Sequence, residues 1–163
     1  MKKIINVFIT ALCLSSLSLS ASDLVLEKPV LTLDGAKLIA EHAAKKANKE
    51  KWNVIISIVD SHGYLMYLER MDGVQLGSLD VAINKAKTSA LYARPTKVFE
   101  ERVKAGDVPV SMLANIVAID GGLPIKVDGH IVGSIGVSGV RGNQDAEIAQ
   151  AGIDAFLDSL DKK

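Results

Sequence analysis

The sequence contains few of the residues that several classes of function require. Aromatic residues make up 4% of its 163 residues, too few for the stacking platform of a single-strand-binding protein. Basic and acidic residues both number 19, so the formal net charge is zero. The chain therefore has no excess of positive charge with which to attract a nucleic acid. We therefore expect no nucleic-acid partner, and the length favours a single domain.

Cysteine occurs once, at Cys13, inside an amino-terminal segment typical of a secretory signal peptide. Two lysines precede the largely apolar run 4–14, and a small, serine-rich stretch follows it. That run is shorter than the roughly 20 residues that span a bilayer, which argues against a membrane anchor. We predict a signal peptide over 1–22, cleaved after Ser22 or two residues earlier, and a periplasmic or secreted domain over 23–163.

Removal of this segment leaves the domain without cysteine. A disulfide, a thiolate nucleophile and a cysteine-ligated zinc site are then excluded. Cleavage also takes two lysines from the 19 basic residues and nothing from the 19 acidic ones, which gives a formal charge of −2. Stability must come from an apolar core, which a chain of about 140 residues can supply.

Helical spacing of apolar residues predicts four helices, over about 33–49, 78–92, 97–104 and 145–160. Thr32 and Thr96 are expected to cap the first and third helices, and Asp145 to begin the last one. Small alanines on the inner face of the first helix indicate close packing against a sheet.

Short apolar runs bounded by turn residues predict five strands, over 54–59, 64–70, within 112–119, 123–127 and 131–138. Asp128-Gly129 is a strong two-residue hairpin signal. Tight hairpins join antiparallel strands, so we expect an α+β fold with one antiparallel sheet flanked by helices, rather than a doubly wound parallel sheet.

The three histidines show no metal-ligand spacing. His62 and His130 are expected at exposed hairpin tips, and His42 on the surface of the first helix. Asp60, Ser61 and His62 are adjacent, so they cannot form a catalytic triad and are interpreted as turn residues.

The segment 133–142 is rich in glycine and leads from a strand towards a helix. Backbone amides in such a loop suit an anion. The segment matches neither the dinucleotide-binding fingerprint nor the P-loop. Close packing of a helix on the sheet explains the same glycines, and both interpretations stay open.

The second helix places Lys85 and Thr88 on one face, with Tyr92 a turn further on. Arg94 and Thr96 follow at its end. These cationic and hydroxyl groups suit a ligand carboxylate or a weak axial oxygen ligand. A solvated helix face with a cap is the simpler alternative.

Ordered sequence blocks carry a family resemblance that covers 31–160. They are Leu31-Thr32-Leu33 with Ala36, Val59-Asp60 with Gly63 and Leu65, Arg70-Met71-Asp72-Gly73, Lys85-Ala86 with Thr88, Arg94-Pro95-Thr96, Gly121-Gly122-Leu123-Pro124-Ile125, Asp128-Gly129, Gly133 to Gly139, and Asp145. In these blocks the chain resembles the haem-binding/degrading family of GlcG and HbpS type, which includes the C-terminal domain of PduO-like proteins. The predicted signal peptide suits an exported branch of that family.

The resemblance implies a five-stranded antiparallel sheet flanked by helices, in the layer arrangement of profilin, and homo-oligomers. It implies an exported protein that binds haem or another tetrapyrrole, in haem sequestration or in redox or haem sensing beside a membrane sensor kinase. A haem-degrading enzyme is one alternative. An oligomeric accessory or sensor module that binds a small anionic metabolite is another. Binding is favoured over catalysis because the sequence identifies neither a proximal ligand with a distal donor nor any catalytic residue.

The resemblance also suggests which residues hold the haem. His42 and Thr96 are the candidates for the iron ligand. Cations would pair with the propionates and the porphyrin would lie in an apolar slot. The full candidate set is His42, Arg70, Lys85, Thr88, Arg94, Thr96, Gly139 and Arg141.

Overall fold

A computed structural model describes residues 24–162, and the predicted signal peptide over 1–22 lies outside them. The elements are, in chain order, α1 (Leu33–Glu50), β1 (Ile55–Asp60), β2 (Leu65–Arg70), α2 (Ser78–Tyr92), α3 (Lys97–Lys104), α4 (Val108–Ser111), β3 (Gly122–Val127), β4 (His130–Ser138) and α5 (Gly142–Leu160). Among these helices, none combines the length and the hydropathy that a membrane crossing requires.

The strands form one antiparallel sheet in the order β2-β1-β4-β3. The predicted α+β class and antiparallel sheet are therefore confirmed. The predicted strand number is wrong, because the described residues form four strands and not five.

The expected strand within 112–119 is replaced by a loop that α2 holds in place. The Thr88 hydroxyl donates to the Asn115 carbonyl at 2.9 Å and accepts from the Val117 N–H at 2.9 Å. Asn115 itself has a φ of 59°, which an extended strand does not permit. One side chain thus bonds the backbone groups that a neighbouring strand would have paired.

Two helical layers cover the sheet. α1 and α5 pack together on one face, where Ile56, Ile58, Ile135 and Val137 join the main apolar core. α2 packs on the opposite face against β1, β3 and β4. Successive residues along a strand point to opposite faces of the sheet, so Gly136 and its neighbour Val137 face different helical layers.

Glycine and alanine bring α2 unusually close to the sheet. A Cβ atom at Gly136 would overlap the Ala82 carbonyl oxygen and lie 2.5 Å from the Ala86 nitrogen. Gly133 and Gly139 instead allow a close approach to backbone outside the helices, because their Cβ atoms would meet the carbonyl oxygens of Val59 and Asn53. Close packing of a helix on the sheet, one of the two interpretations left open above, therefore accounts for Gly136.

Local signals placed the ends of several elements correctly. The Thr32 hydroxyl accepts from the Gly35 N–H at 3.1 Å and caps α1 as expected. Asp128 and Gly129 both have positive φ, at 48° and 78°, as a tight hairpin turn requires. Two expectations fail: α5 begins at Gly142 rather than Asp145, and Thr96 forms no side-chain cap on α3.

Candidate functional site

Lys85 and Asp145 form an ion pair that joins two layers of the fold. The Lys85 side chain comes from α2, and its Nζ lies 2.7 Å from Asp145 Oδ2 on α5 and donates to the Val137 carbonyl at 2.9 Å. The two side chains are 1% and 2% exposed. A solvated Lys85 face, the simpler expectation, is therefore wrong.

Burial raises the pKa of the Asp145 carboxyl. The attraction of Lys85, its hydrogen bond and a further hydrogen bond from the Val140 N–H oppose that rise. Gly121 leaves room for the pair, since a Cβ atom there would lie 2.8 Å from Lys85 Nζ. The Lys85 ammonium thus makes two buried hydrogen bonds, one of them to a carboxylate, which gives this side chain a role in holding the fold together.

Thr88 and Thr96 are both fully buried and bonded to backbone. The single proton of the Thr88 hydroxyl is shared between the Asn115 carbonyl described above and the Asn84 carbonyl, whose oxygen lies 2.7 Å from Oγ1. The Thr96 hydroxyl accepts from the Gly122 N–H at 2.9 Å. Thr96 therefore joins the start of α3 to the start of β3, which explains why it is free neither to cap its helix nor to face a bound ligand.

The three candidate arginines lie on the surface and do not converge on one site. Arg70 ends the edge strand β2. Arg94 donates to the Tyr92 carbonyl at 3.0 Å and lies over the Phe99 ring, 5.9 Å from its centroid. Arg141 stands immediately before α5. The eight candidates thus occupy several regions of the fold.

His42 lies in a groove between α1 and α5, on the face of the sheet opposite Thr96. The groove has a volume of about 470 Å³ and is lined by Leu38, His42, Ala151, Asp154, Ala155, Asp158, Ser159 and Lys162. We call it the His42 groove. The imidazole is half-buried and has no hydrogen-bond partner within residues 24–162. One iron can use His42 or Thr96, but not both.

His62 and His130 lie together at one end of the sheet. Both are exposed, as expected, and they line a pocket of about 370 Å³ with Lys28 and Ser61. They meet because β1 and β4 are antiparallel, which puts the β1–β2 and β3–β4 turns side by side. Over residues 24–162 no group of three or more histidine, cysteine or acidic side chains is arranged to hold a metal ion.

Sequence reasoning missed Asp120, which precedes β3 and is 7% exposed. Burial raises the pKa of its carboxyl, the Glu100 charge adds to that rise, and the hydrogen bond from the Gly121 N–H opposes it. Its position directly before the paired glycines 121 and 122 was the available signal.

Most of this chain matches known proteins. A model of the family described as haem degrading protein HbpS-like matches residues 31–154. Protein GlcG of Escherichia coli strain K12 is 37% identical over 111 residues, which cover 68% of this chain and 83% of GlcG.

Solved structures agree. The Klebsiella pneumoniae protein ORFY has a TM-score of 0.77 at 28% identity, with 86% of this chain and 98% of that chain covered. A PduOC:heme complex has a TM-score of 0.72 at 28% identity, with 78% of this chain and 95% of that chain covered. With three quarters of its length matched by the family model, the chain belongs to the HbpS-like family of haem-degrading proteins, to which the resemblance in its sequence blocks had pointed.

Proposed function

We propose that this domain is an exported haem-binding protein and that His42 is the iron ligand. The observation that carries the proposal is the half-buried imidazole of His42 in its groove, which has no hydrogen-bond partner among the described residues. Imidazole is a common axial ligand of haem iron. The solved haem complex of a protein with the same fold supports the choice of cofactor.

The walls of the His42 groove suit the two parts of a haem differently. Leu38, Ala151 and Ala155 offer apolar contact to a porphyrin face. Asp154 and Asp158 would repel the propionates, so these groups are expected to point towards Lys162 or into solvent. The bound haem would supply a redox-active iron, while this chain supplies one ligand and an apolar wall.

The binding role is preferred to haem degradation. Degradation requires a dependable proximal ligand and a distal donor, and among the described residues that line the groove His42 is the only imidazole. The family description keeps degradation as the second candidate. The accessory-module alternative predicts weak haem binding without fixed stoichiometry.

We further propose that the protein acts as a homo-oligomer. Large apolar side chains are exposed on α3, on α4 and on the loop after it, including Val103, Met112, Leu113 and Ile119. Several exposed apolar side chains within one short stretch of chain favour self-association. A role in haem sequestration or sensing in the periplasm, with a membrane sensor kinase as partner, belongs to the same proposal.

A hemin titration of the protein without residues 1–22 tests the proposal. We expect a saturable Soret shift at about one haem per chain, lost in His42→Ala and retained in Thr96→Val. The matched control is the double variant His62→Ala/His130→Ala, which removes the other two imidazoles and is expected to bind normally. If that control loses haem binding while His42→Ala retains it, the haem site lies instead beside His62 and His130 at the end of the sheet.

Reductant separates binding from degradation. If the domain only binds haem, the Soret band shifts on reduction and persists. Progressive loss of the band with release of iron would establish the degradation alternative instead. A small, unsaturating absorbance change, equal in all variants, would reject haem as the ligand.

A further inference from the structure

A second cleft lies between α3 and the start of α5, away from the His42 groove. Its volume is about 400 Å³. Along α5, its residue Asn143 precedes Ala151 of the His42 groove by eight positions, or about 12 Å of helix axis. We call it the α5 cleft, and the charged side chains that line it are Lys97, Glu100, Glu101, Lys104, Asp120 and Arg141.

Most of these charges neutralise one another. Lys104 pairs with Glu100, and Lys97 Nζ lies 3.9 Å from Glu101 Oε1. Two charges of opposite sign are left over. Within residues 24–162, neither the Asp120 carboxylate nor the Arg141 guanidinium takes part in an ion pair.

Asp120 is more than nine-tenths buried and is held firmly by its neighbours. Its N–H donates to Glu100 Oε2 at 2.7 Å, and its Oδ1 accepts from the Gly121 N–H at 2.8 Å. Its Oδ2 has no hydrogen-bond partner among the described residues. This oxygen is not among the fully buried side-chain atoms, and Asp120 lines the cleft, so a donor on a ligand can reach it in place of water.

The start of α5 offers the opposite chemistry. Its first hydrogen bonds run from Gln144 and Asp145 to the Arg141 carbonyl. The amides of Gly142 and Asn143 therefore remain available to an acceptor in the cleft. These amides, the positive end of the helix and the Arg141 guanidinium together suit a carboxylate.

We propose that the α5 cleft binds a small carboxylate that carries a hydrogen-bond donor on the adjacent carbon. The carboxylate would bind Arg141 and the first amides of α5, and the donor, an ammonium or a hydroxyl group, would bind Asp120 Oδ2. Asp120 does not cap α5, because its Oδ1 is bonded to the Gly121 N–H. The site is independent of the haem proposal.

Four probes of matched size test this chemistry: alanine, lactate, propionate and isopropylamine. Titration of the ¹⁵N-labelled protein, followed by the amide signals of Gly142 and Asn143, should give saturable shifts with alanine, lactate or both. The stronger of the two identifies the donor as ammonium or hydroxyl. Propionate, which lacks the donor, should bind roughly tenfold more weakly, and isopropylamine should leave these amides unshifted.

Two variants and a control assign the contacts. Asp120→Asn and Arg141→Gln should each weaken binding by roughly tenfold or more. Lys126→Gln removes an exposed charge on β3 outside the cleft and should leave binding unchanged. The proposal is overturned if neither alanine nor lactate saturates, if propionate binds the wild-type protein equally well, or if both variants bind like the control.

Discussion

Replacement of Lys85 by methionine tests whether the buried ion pair holds the two helical layers together. Methionine keeps much of the volume and length of the side chain but removes the ammonium. The variant leaves Asp145 Oδ2 and the Val137 carbonyl without the donor that now lies 2.7 and 2.9 Å away. The change is therefore confined to one charge and its hydrogen bonds.

The burial of the pair sets the size of the expected effect. Side chains that are 1% and 2% exposed are screened little by water, so the remaining carboxylate is uncompensated. Removal of one partner of such a pair costs about 3–5 kcal/mol. That is a large share of the total stability of a domain, typically about 5–15 kcal/mol.

The loss should depend on pH. Burial already raises the pKa of Asp145 above 3.8, and without Lys85 it would rise further. When the pKa of a carboxyl is higher in the folded than in the unfolded state, protonation favours folding. The fold therefore gains stability as pH falls from the folded-state pKa towards the unfolded-state pKa. The deficit of Lys85→Met should therefore be largest where Asp145 is ionised in the folded variant, and shrink as pH falls towards 3.8.

Urea unfolding of the variants at pH 7 provides the assay. The double variant Lys85→Met/Asp145→Asn should recover at least about half of the single-variant loss, because no buried charge remains. Lys45→Met is the matched control, since Lys45 pairs with Glu41 at the exposed surface, and should cost less than about 1 kcal/mol. The reasoning is refuted if Lys85→Met costs no more than that control, or if the double variant recovers nothing.

Three further predictions concern stability, each measured by urea unfolding. Gly136→Ala should cost about 3 kcal/mol or prevent folding, because its Cβ overlaps the Ala82 carbonyl, whereas Gly77→Ala has open space and should change stability by under about 1 kcal/mol. Equal effects at the two glycines would contradict the close-packing argument. Thr96→Val should cost about 1–3 kcal/mol by leaving a buried N–H unpaired. A neutral result would show that this N–H finds another partner. Asp120→Asn should be more stable than wild type at pH 7, because burial raises the carboxyl pKa, and that advantage should vanish as pH falls towards 3.8. An advantage independent of pH would exclude the buried charge as its cause.

Much of the secondary structure follows from signals that span only a few residues. The Thr32 cap and the Asp128-Gly129 turn act within one turn of chain, so they operate whatever the rest of the molecule does. The limits of α2, predicted as about 78–92, agree with Ser78–Tyr92 in the structure. The antiparallel sheet follows from two hairpins, each defined locally.

The absent fifth strand shows where this kind of inference stops. The run 112–119 is apolar enough for a strand, but a strand exists only if its backbone has a partner. Thr88, 27 residues earlier than Asn115, bonds that backbone from α2. No local pattern encodes such a contact.

The sequence by itself determined the class of fold, most helix and hairpin limits and, through its ordered blocks, the family. Only the tertiary structure decided what the individual polar residues do. The sequence predicts Lys85 on a solvated or ligand-binding helix face and Thr96 as a helix cap or an iron ligand, yet the fold buries both and bonds them to Asp145 and Gly122. The physical reason is range: caps and turns are set by neighbours along the chain, whereas burial and ion pairing depend on residues that meet only after folding.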